Sequence, residues 1–116
     1  MTKAALPSET CDVAYALTII GGKWKLFILW KLLDTPKRFS ELRRTIPGIS
    51  EPVLIAQLKE LQQDSLVKRT DYKSMPPHVE YSLTERGQQL RTVLAQLKDW
   101  GGQQRLHASS NQIRPS

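Results

Sequence analysis

The sequence predicts a mainly α fold with one small β-hairpin, and three observations carry that expectation. Phe39 to Leu61, FSELRRTIPGISEPVLIAQLKEL, reads as two short helices hinged on Pro47-Gly48. Two β-like runs follow, Leu66 to Tyr72 and Val79 to Leu83. On either side, Cys11 to Leu33 and Thr84 to Trp100 repeat apolar residues at helical spacing. With 116 residues, 40% of them hydrophobic, the chain has the size of one domain with a single core.

In chain order, residues 1–10 are polar and carry Pro7, which suits a flexible lead-in with Thr10 as a helix cap. Cys11 to Ile20 then places Val13, Leu17 and Ile20 on one helical face, and Gly21-Gly22 breaks the run. From Lys23 to Leu33 a second helix carries Trp24, Phe27, Ile28 and Leu32 on one side, and Leu26, Leu29, Trp30 and Leu33 on much of the other. A helix apolar almost all round must be buried on several sides, so part of its surface is expected to meet another element or another subunit. Asp34 to Lys37, with Pro36, is a connection.

In the central pair, Leu42 and Ile46 share one face of the first helix, and Leu54, Leu58 and Leu61 form the stripe of the second. Ser40 is placed to cap the first helix and Ser50 the second. Pro47 cannot continue a helix, and Gly48 tolerates the positive φ of a sharp reversal. This is the pattern of a helix-turn-helix, whose second helix usually enters the major groove of DNA. Any αα-hairpin in a helical core shares the spacing. Arg38, Arg43 and Arg44 favour the DNA-facing version, because the first helix of such a motif crosses the phosphate backbone.

The two hairpin runs flank SMPPH, and in the second Val79, Tyr81 and Leu83 alternate with Glu80 and Ser82. Lys68 and Arg69 are placed to pair with Glu80 across the strands. Lys73 and His78 stand on the shoulders of a loop stiffened by Pro76-Pro77. Either they track a phosphate strand or the minor groove, or they are ordinary solvated loop residues. Thr84-Glu85 opens a last helix striped by Leu90, Val93, Leu94, Leu97 and Trp100, which Gly101-Gly102 is expected to stop. The folded domain is thus expected over residues 11–102, with 103–116 as a flexible tail.

Seventeen Lys and Arg against eleven Asp and Glu give a net charge of +6, which favours a polyanionic partner, nucleic acid before membrane. No apolar run is long enough to span a bilayer and the N-terminus lacks the features of a signal peptide, so a cytoplasmic protein is expected. One cysteine, Cys11, excludes an intrachain disulfide. No metal-ligand spacing, phosphate loop, nucleophile elbow or triad-like cluster is present, so neither an enzyme nor a cofactor is expected.

Helix-turn-helix followed by a hairpin is the winged-helix arrangement, and the chain resembles the HxlR-type bacterial transcriptional regulators, relatives of the MarR-like proteins. The residues that carry the resemblance are Cys11 before the first helix, GGKW at Gly21 to Trp24, RFSELRR at Arg38 to Arg44 and PGIS at Pro47 to Ser50. They continue with LKEL at Leu58 to Leu61, LVKR at Leu66 to Arg69 and PPHVEYSLTERG at Pro76 to Gly87. The resemblance implies a homodimeric repressor or activator that binds an inverted-repeat site on double-stranded DNA. Each subunit would supply one recognition helix and one wing, and the terminal helices would form the dimer interface. It also implies a small-molecule or oxidant effector, because some relatives use a cysteine near the N-terminus to sense oxidants, electrophiles or quinones. Two departures are visible: Asp12 follows Cys11 where the family commonly has proline, and Pro52 sits early in the recognition helix.

With Leu54, Leu58 and Leu61 inward, Pro52, Ile55, Ala56 and Lys59 turn outward and Glu51 lies at the margin. Together with Arg38, Ser40, Arg43, Arg44, Ser50, Lys73 and His78 these are the candidate DNA-binding residues. Lys59 can reach a phosphate or a guanine edge, Ile55 and Ala56 a thymine methyl, and Glu51 a cytosine amino group. Cys11 is the candidate redox-sensing residue; the positive end of a helix favours its thiolate, while Glu9 and Asp12 oppose it. A small side chain at a subunit interface is its other reading. The competing function is a winged-helix module that binds only protein, which would leave the basic first helix and the loop cations without a target.

Overall fold

The computed structural model describes residues 11–110, so the lead-in, the cap expected at Thr10 and residues 111–116 lie outside the described residues. Six helices and one hairpin follow in order: α1 Asp12–Ile20, α2 Lys25–Lys31, α3 Phe39–Thr45, α4 Glu51–Gln63, β1 Val67–Asp71, β2 Val79–Leu83, α5 Glu85–Gln88 and α6 Arg91–Ser110. The strands pair antiparallel, with Val67 opposite Leu83 and Asp71 opposite Val79. A single antiparallel bridge adds Lys37 to the outer side of Tyr81. This is a winged helix-turn-helix: a three-helix core, a helix-turn-helix and a two-stranded wing.

The core is aliphatic and contributed from every layer. Ile28, Leu29 and Leu32 come from α2 and its end, Leu42 and Ile46 from α3, and Leu54, Leu58 and Leu61 from α4; all are at most 2% exposed. Leu66, Val67 and Leu83 close the core from the wing, and Leu94 from α6. Burial of each of these large apolar side chains stabilises the fold by roughly 1.5–3 kcal/mol. α2 is therefore largely covered within its own chain. Phe27 is the exception, and with Leu26 and Trp30 it opens onto a hollow completed by Leu94, Leu97 and Lys98.

Several boundaries differ from the sequence reading, for local reasons. α2 is shorter than Lys23 to Leu33, because Gly22 at φ +95 sets a turn and Trp24 becomes the N-cap. The last helix comes in two pieces. Thr84 caps α5, its hydroxyl accepting from the Gly87 N–H at 3.0 Å, and a turn at Gln89-Leu90 precedes α6. Gly101-Gly102 does not stop α6, which continues to Ser110. Neither glycine adopts positive φ, and glycine inside a helix costs only about 1 kcal/mol relative to alanine, which a 20-residue helix tolerates.

α1 and α6 leave apolar side chains uncovered. On α1, Val13 is 69% exposed and Leu17 54%, so of its expected inward face only Ile20 is buried. On α6, Val93, Leu97, Trp100 and Leu106 are exposed. No single helix among the described residues is long and apolar enough to cross a membrane; α1 and α2 reach that length and hydropathy only together, across a 74° bend.

Gly87 is the point where α5 meets the turn between α4 and β1. A Cβ there would overlap the Leu66 carbonyl oxygen, which also accepts the Thr84 N–H at 3.0 Å. Gly87→Ala is expected to destabilise the fold by about 1–3 kcal/mol, read as a lower urea midpoint at unchanged slope.

Candidate nucleic-acid interface

The helix pair is set by its caps. Ser50 caps α4, its Oγ accepting from the Val53 N–H at 3.3 Å, and Pro52 sits in the first turn where no N–H partner is required. Gly48, at φ +82, makes the reversal between α3 and α4. Ser40, by contrast, does not cap α3. The N-cap is Arg38, whose backbone N–H donates to Glu41 Oε1 at 2.8 Å, and Ser40 lies exposed inside the helix. Arg38 has no side-chain acceptor to offer, so the reciprocal half of the cap, from Glu41, does the work.

With Leu54, Leu58 and Leu61 buried, α4 turns Glu51, Pro52, Ile55, Ala56 and Lys59 to solvent, as the spacing predicts. Ile55 is 46% exposed, a branched apolar side chain on an otherwise open face. Arg43 reaches across from α3, its Nη1 donating to Glu51 Oε1 at 3.3 Å. Both groups are about half exposed, so the pair contributes little to stability and mainly orients the two side chains. Arg44 is exposed, and no carboxylate among the described residues pairs with it. Phe39, Ser40, Arg43, Arg44 and Glu51 together line an open hollow between the two helices.

The wing is joined to this pair by backbone and by side chains. Lys37 N–H donates to the Tyr81 carbonyl at 2.9 Å and Tyr81 N–H to the Lys37 carbonyl at 2.8 Å, just before α3 begins. Next to it, Arg38 Nη2 lies 2.6 Å from His78 Nδ1, and His78 Nε2 lies 2.9 Å from Glu80 Oε2. Tyr72 Oη donates to the other oxygen of Glu80 at 3.2 Å. The hydrogen bond from His78 holds the Glu80 carboxyl below its ordinary range, against partial desolvation and with help from Tyr72 and the Arg38 charge. The bond to Glu80 and its negative charge raise the Tyr72 hydroxyl in turn.

Glu80 is therefore not the cross-strand partner of Lys68 or Arg69. The register puts Lys68 opposite Ser82, Arg69 opposite Tyr81 and Thr70 opposite Glu80, so both cations miss the carboxylate. Lys73 stands exposed at the start of the loop with φ +53, its backbone N–H held by Asp71 Oδ1 at 2.9 Å. Cys11 is exposed as the N-cap residue of α1, with no side-chain cap, on an element separate from this surface.

Of the candidate residues, the structure thus brings together Arg38 with His78, Arg43 with Glu51, and Pro52, Ile55, Ala56 and Lys59 along one face. Sequence reasoning missed the Lys37–Tyr81 bridge, which has no pattern of its own. It also missed the Glu41 half of the cap, which the three-residue spacing from Arg38 could have revealed.

The HxlR-like helix-turn-helix family model matches residues 19–109. The chain is 50% identical over 93 residues to the uncharacterized HTH-type transcriptional regulator YdeP of Bacillus subtilis (strain 168), covering 80% of this chain and 73% of that protein. Its fold is similar to that of the redox regulator HypR in its oxidized form, with a TM-score of 0.77 and 45% identity over 80% of this chain and 96% of HypR. It is also similar to quinone-bound YodB from Bacillus subtilis, with a TM-score of 0.67 and 37% identity over 79% of this chain and 97% of YodB. A match across both the helix-turn-helix and the wing, with half the residues shared with a relative, places the chain in the HxlR-like helix-turn-helix family of transcriptional regulators.

Proposed function

We propose that the chain is a sequence-specific, dimeric DNA-binding regulator of the cytoplasm, with α4 in the major groove and the wing on the backbone or minor groove. The observation that carries this reading is the bare outer face of α4, flanked by cations from α3 and the wing. Ile55 and Ala56 suit a thymine methyl, Lys59 a guanine edge or phosphate, and Glu51 a cytosine amino group once it leaves Arg43. Ser40, Ser50, Arg38, Arg43, Arg44 and Lys73 are assigned to backbone contacts, and His78 to the same surface through its contact with Arg38.

The uncovered rows on α1 and α6 support a homodimer through the terminal helices, since apolar rows of this length are rarely left in water. A protein-only module is less well supported. It would give no target to Arg44, Lys59 and Lys73, none of which meets a carboxylate among the described residues.

Selection of bound sequences from random duplexes is expected to recover an inverted repeat with half-site centres about 34–36 Å apart, or a multiple of that. Recovery of no preferred sequence would defeat the reading. Arg44→Ala is expected to weaken binding to all duplexes alike and to lower the salt slope by about one ion, while Lys59→Ala alters which sequences are preferred. An unchanged salt slope removes Arg44 from the interface.

Cys11 is assigned a second role, as a thiol that links oxidation to DNA affinity. Its exposure at the start of α1, beside the uncovered apolar row, supports this, as does similarity to a redox regulator and to a quinone-bound protein. Diamide takes the hydrogens of two thiols and leaves a disulfide. If it joins the two copies, their Cys11 Cα atoms must come within about 7 Å; otherwise the partner is a small thiol. Titration of operator binding with diamide and with a quinone is expected to change the affinity of the wild type and to leave Cys11→Ser unaffected. Equal responses of the two proteins make Cys11 structural.

A further inference from the structure

Arg38 and His78 are forty positions apart in sequence, yet their side chains meet at 2.6 Å between the start of α3 and the wing. A guanidinium only donates and keeps its charge, so the Nδ1 it contacts must present a lone pair. The imidazole is then neutral with its proton on Nε2, and that nitrogen lies 2.9 Å from Glu80 Oε2. The two contacts agree on one tautomer. His78 thus accepts from the cap residue of α3 at one end and donates to β2 at the other.

We infer that His78 is a positioning residue for Arg38: its neutral imidazole fixes the guanidinium between α3 and the wing, aimed to grip a DNA phosphate, and an imidazolium releases it. The inference rests on the DNA-binding reading above and describes how that surface is aimed. A held guanidinium meets a phosphate without first giving up its rotamer freedom. A second proton, taken from solvent onto Nδ1, removes the acceptor and sets two cations against each other.

The charged and titratable groups that face the imidazole are Arg38 from the start of α3, Glu80 on β2 and Tyr72 just after β1, whose ring meets it edge-on at 4.9 Å. A guanidinium keeps its charge in proteins. The hydrogen bond from His78 lowers Glu80, and the bond to Glu80 raises Tyr72, so these two keep their charge states near neutral pH. Glutamate, tyrosine and arginine side chains in general keep their charge between about pH 8 and pH 5.5, and histidine side chains in general do not.

The test is a double-mutant cycle of Arg38→Ala and His78→Ala, read as affinity for a random-sequence duplex at low salt, at about pH 8 and about pH 5.5. At the higher pH each single variant is expected to bind about fivefold more weakly, and the double variant no more weakly than Arg38→Ala. At the lower pH the coupling factor is expected to fall to about one. His78→Asn, whose amide oxygen can replace Nδ1, should retain wild-type affinity, whereas His78→Gln, which reaches the Nε2 position, should behave as His78→Ala. Additive losses at the higher pH, equal coupling at both, or no rescue by asparagine overturns the proposal. Without DNA, imidazole ¹⁵N shifts of the free protein are expected to place the His78 proton on Nε2; a proton on Nδ1 overturns it as well. A wild type that binds no duplex overturns the DNA reading and with it the phosphate grip. The DNA-free spectrum keeps that outcome apart from failure of the Arg38–His78 contact itself.

Discussion

α4 has to bury one face completely and leave the other bare, and the rest of the fold is arranged to allow this. Leu54, Leu58 and Leu61 are at most 2% exposed, walled by α2, α3 and the root of β1. Any element laid over the opposite face would hide Ile55, Ala56 and Lys59. The chain avoids that by closing the core from the far side, with Leu83 and Leu94. Lys25 of α2 pairs with Glu60 on the flank of α4 at 2.5 Å, beside the buried leucines that set the helix's rotation. A one-sided helix is thus both the keystone of the core and an accessible surface.

The order of elements was legible because each rests on short-range chemistry. The leucine spacing of α4, the Ser50 cap, the Gly48 reversal and the alternation in β2 all act within a few residues, where sequence and geometry are nearly the same thing. Errors gathered where two acceptable local solutions competed. Ser40 is a good cap by type, but Arg38 took the position because Glu41 could reach back to its N–H. Gly101-Gly102 can end a helix, yet a helix long enough to carry them simply continues. Register was beyond reach for a different reason: a shift of one residue would set Glu80 opposite Arg69 instead of Thr70, and no local rule distinguishes the two pairings.

For the candidate surface, the outward residues of α4 followed from periodicity alone, whereas the links between elements did not. The Arg38–His78 contact and the Lys37–Tyr81 bridge join positions about forty residues apart. They depend on how the wing folds back, which is a property of the whole core. Charge alone had marked Arg38, Arg43 and Arg44 as equivalent. The structure separates them: Arg38 bears on the wing, Arg43 on Glu51, and Arg44 faces solvent.

The Lys37–Tyr81 bridge divides the hairpin into a root and a tip. β2 is hydrogen-bonded on one edge to β1 and on the other to the residue that precedes α3, so the root turns with the helix pair as one body. Residues 73–77 lie beyond the last strand pair and are all exposed. Reach and aim are therefore separately encoded. Lengthening or shortening this tip changes how far the wing extends without changing its direction, which makes the tip the natural place for sequence drift, and for engineered insertions, to alter the footprint while sparing the core.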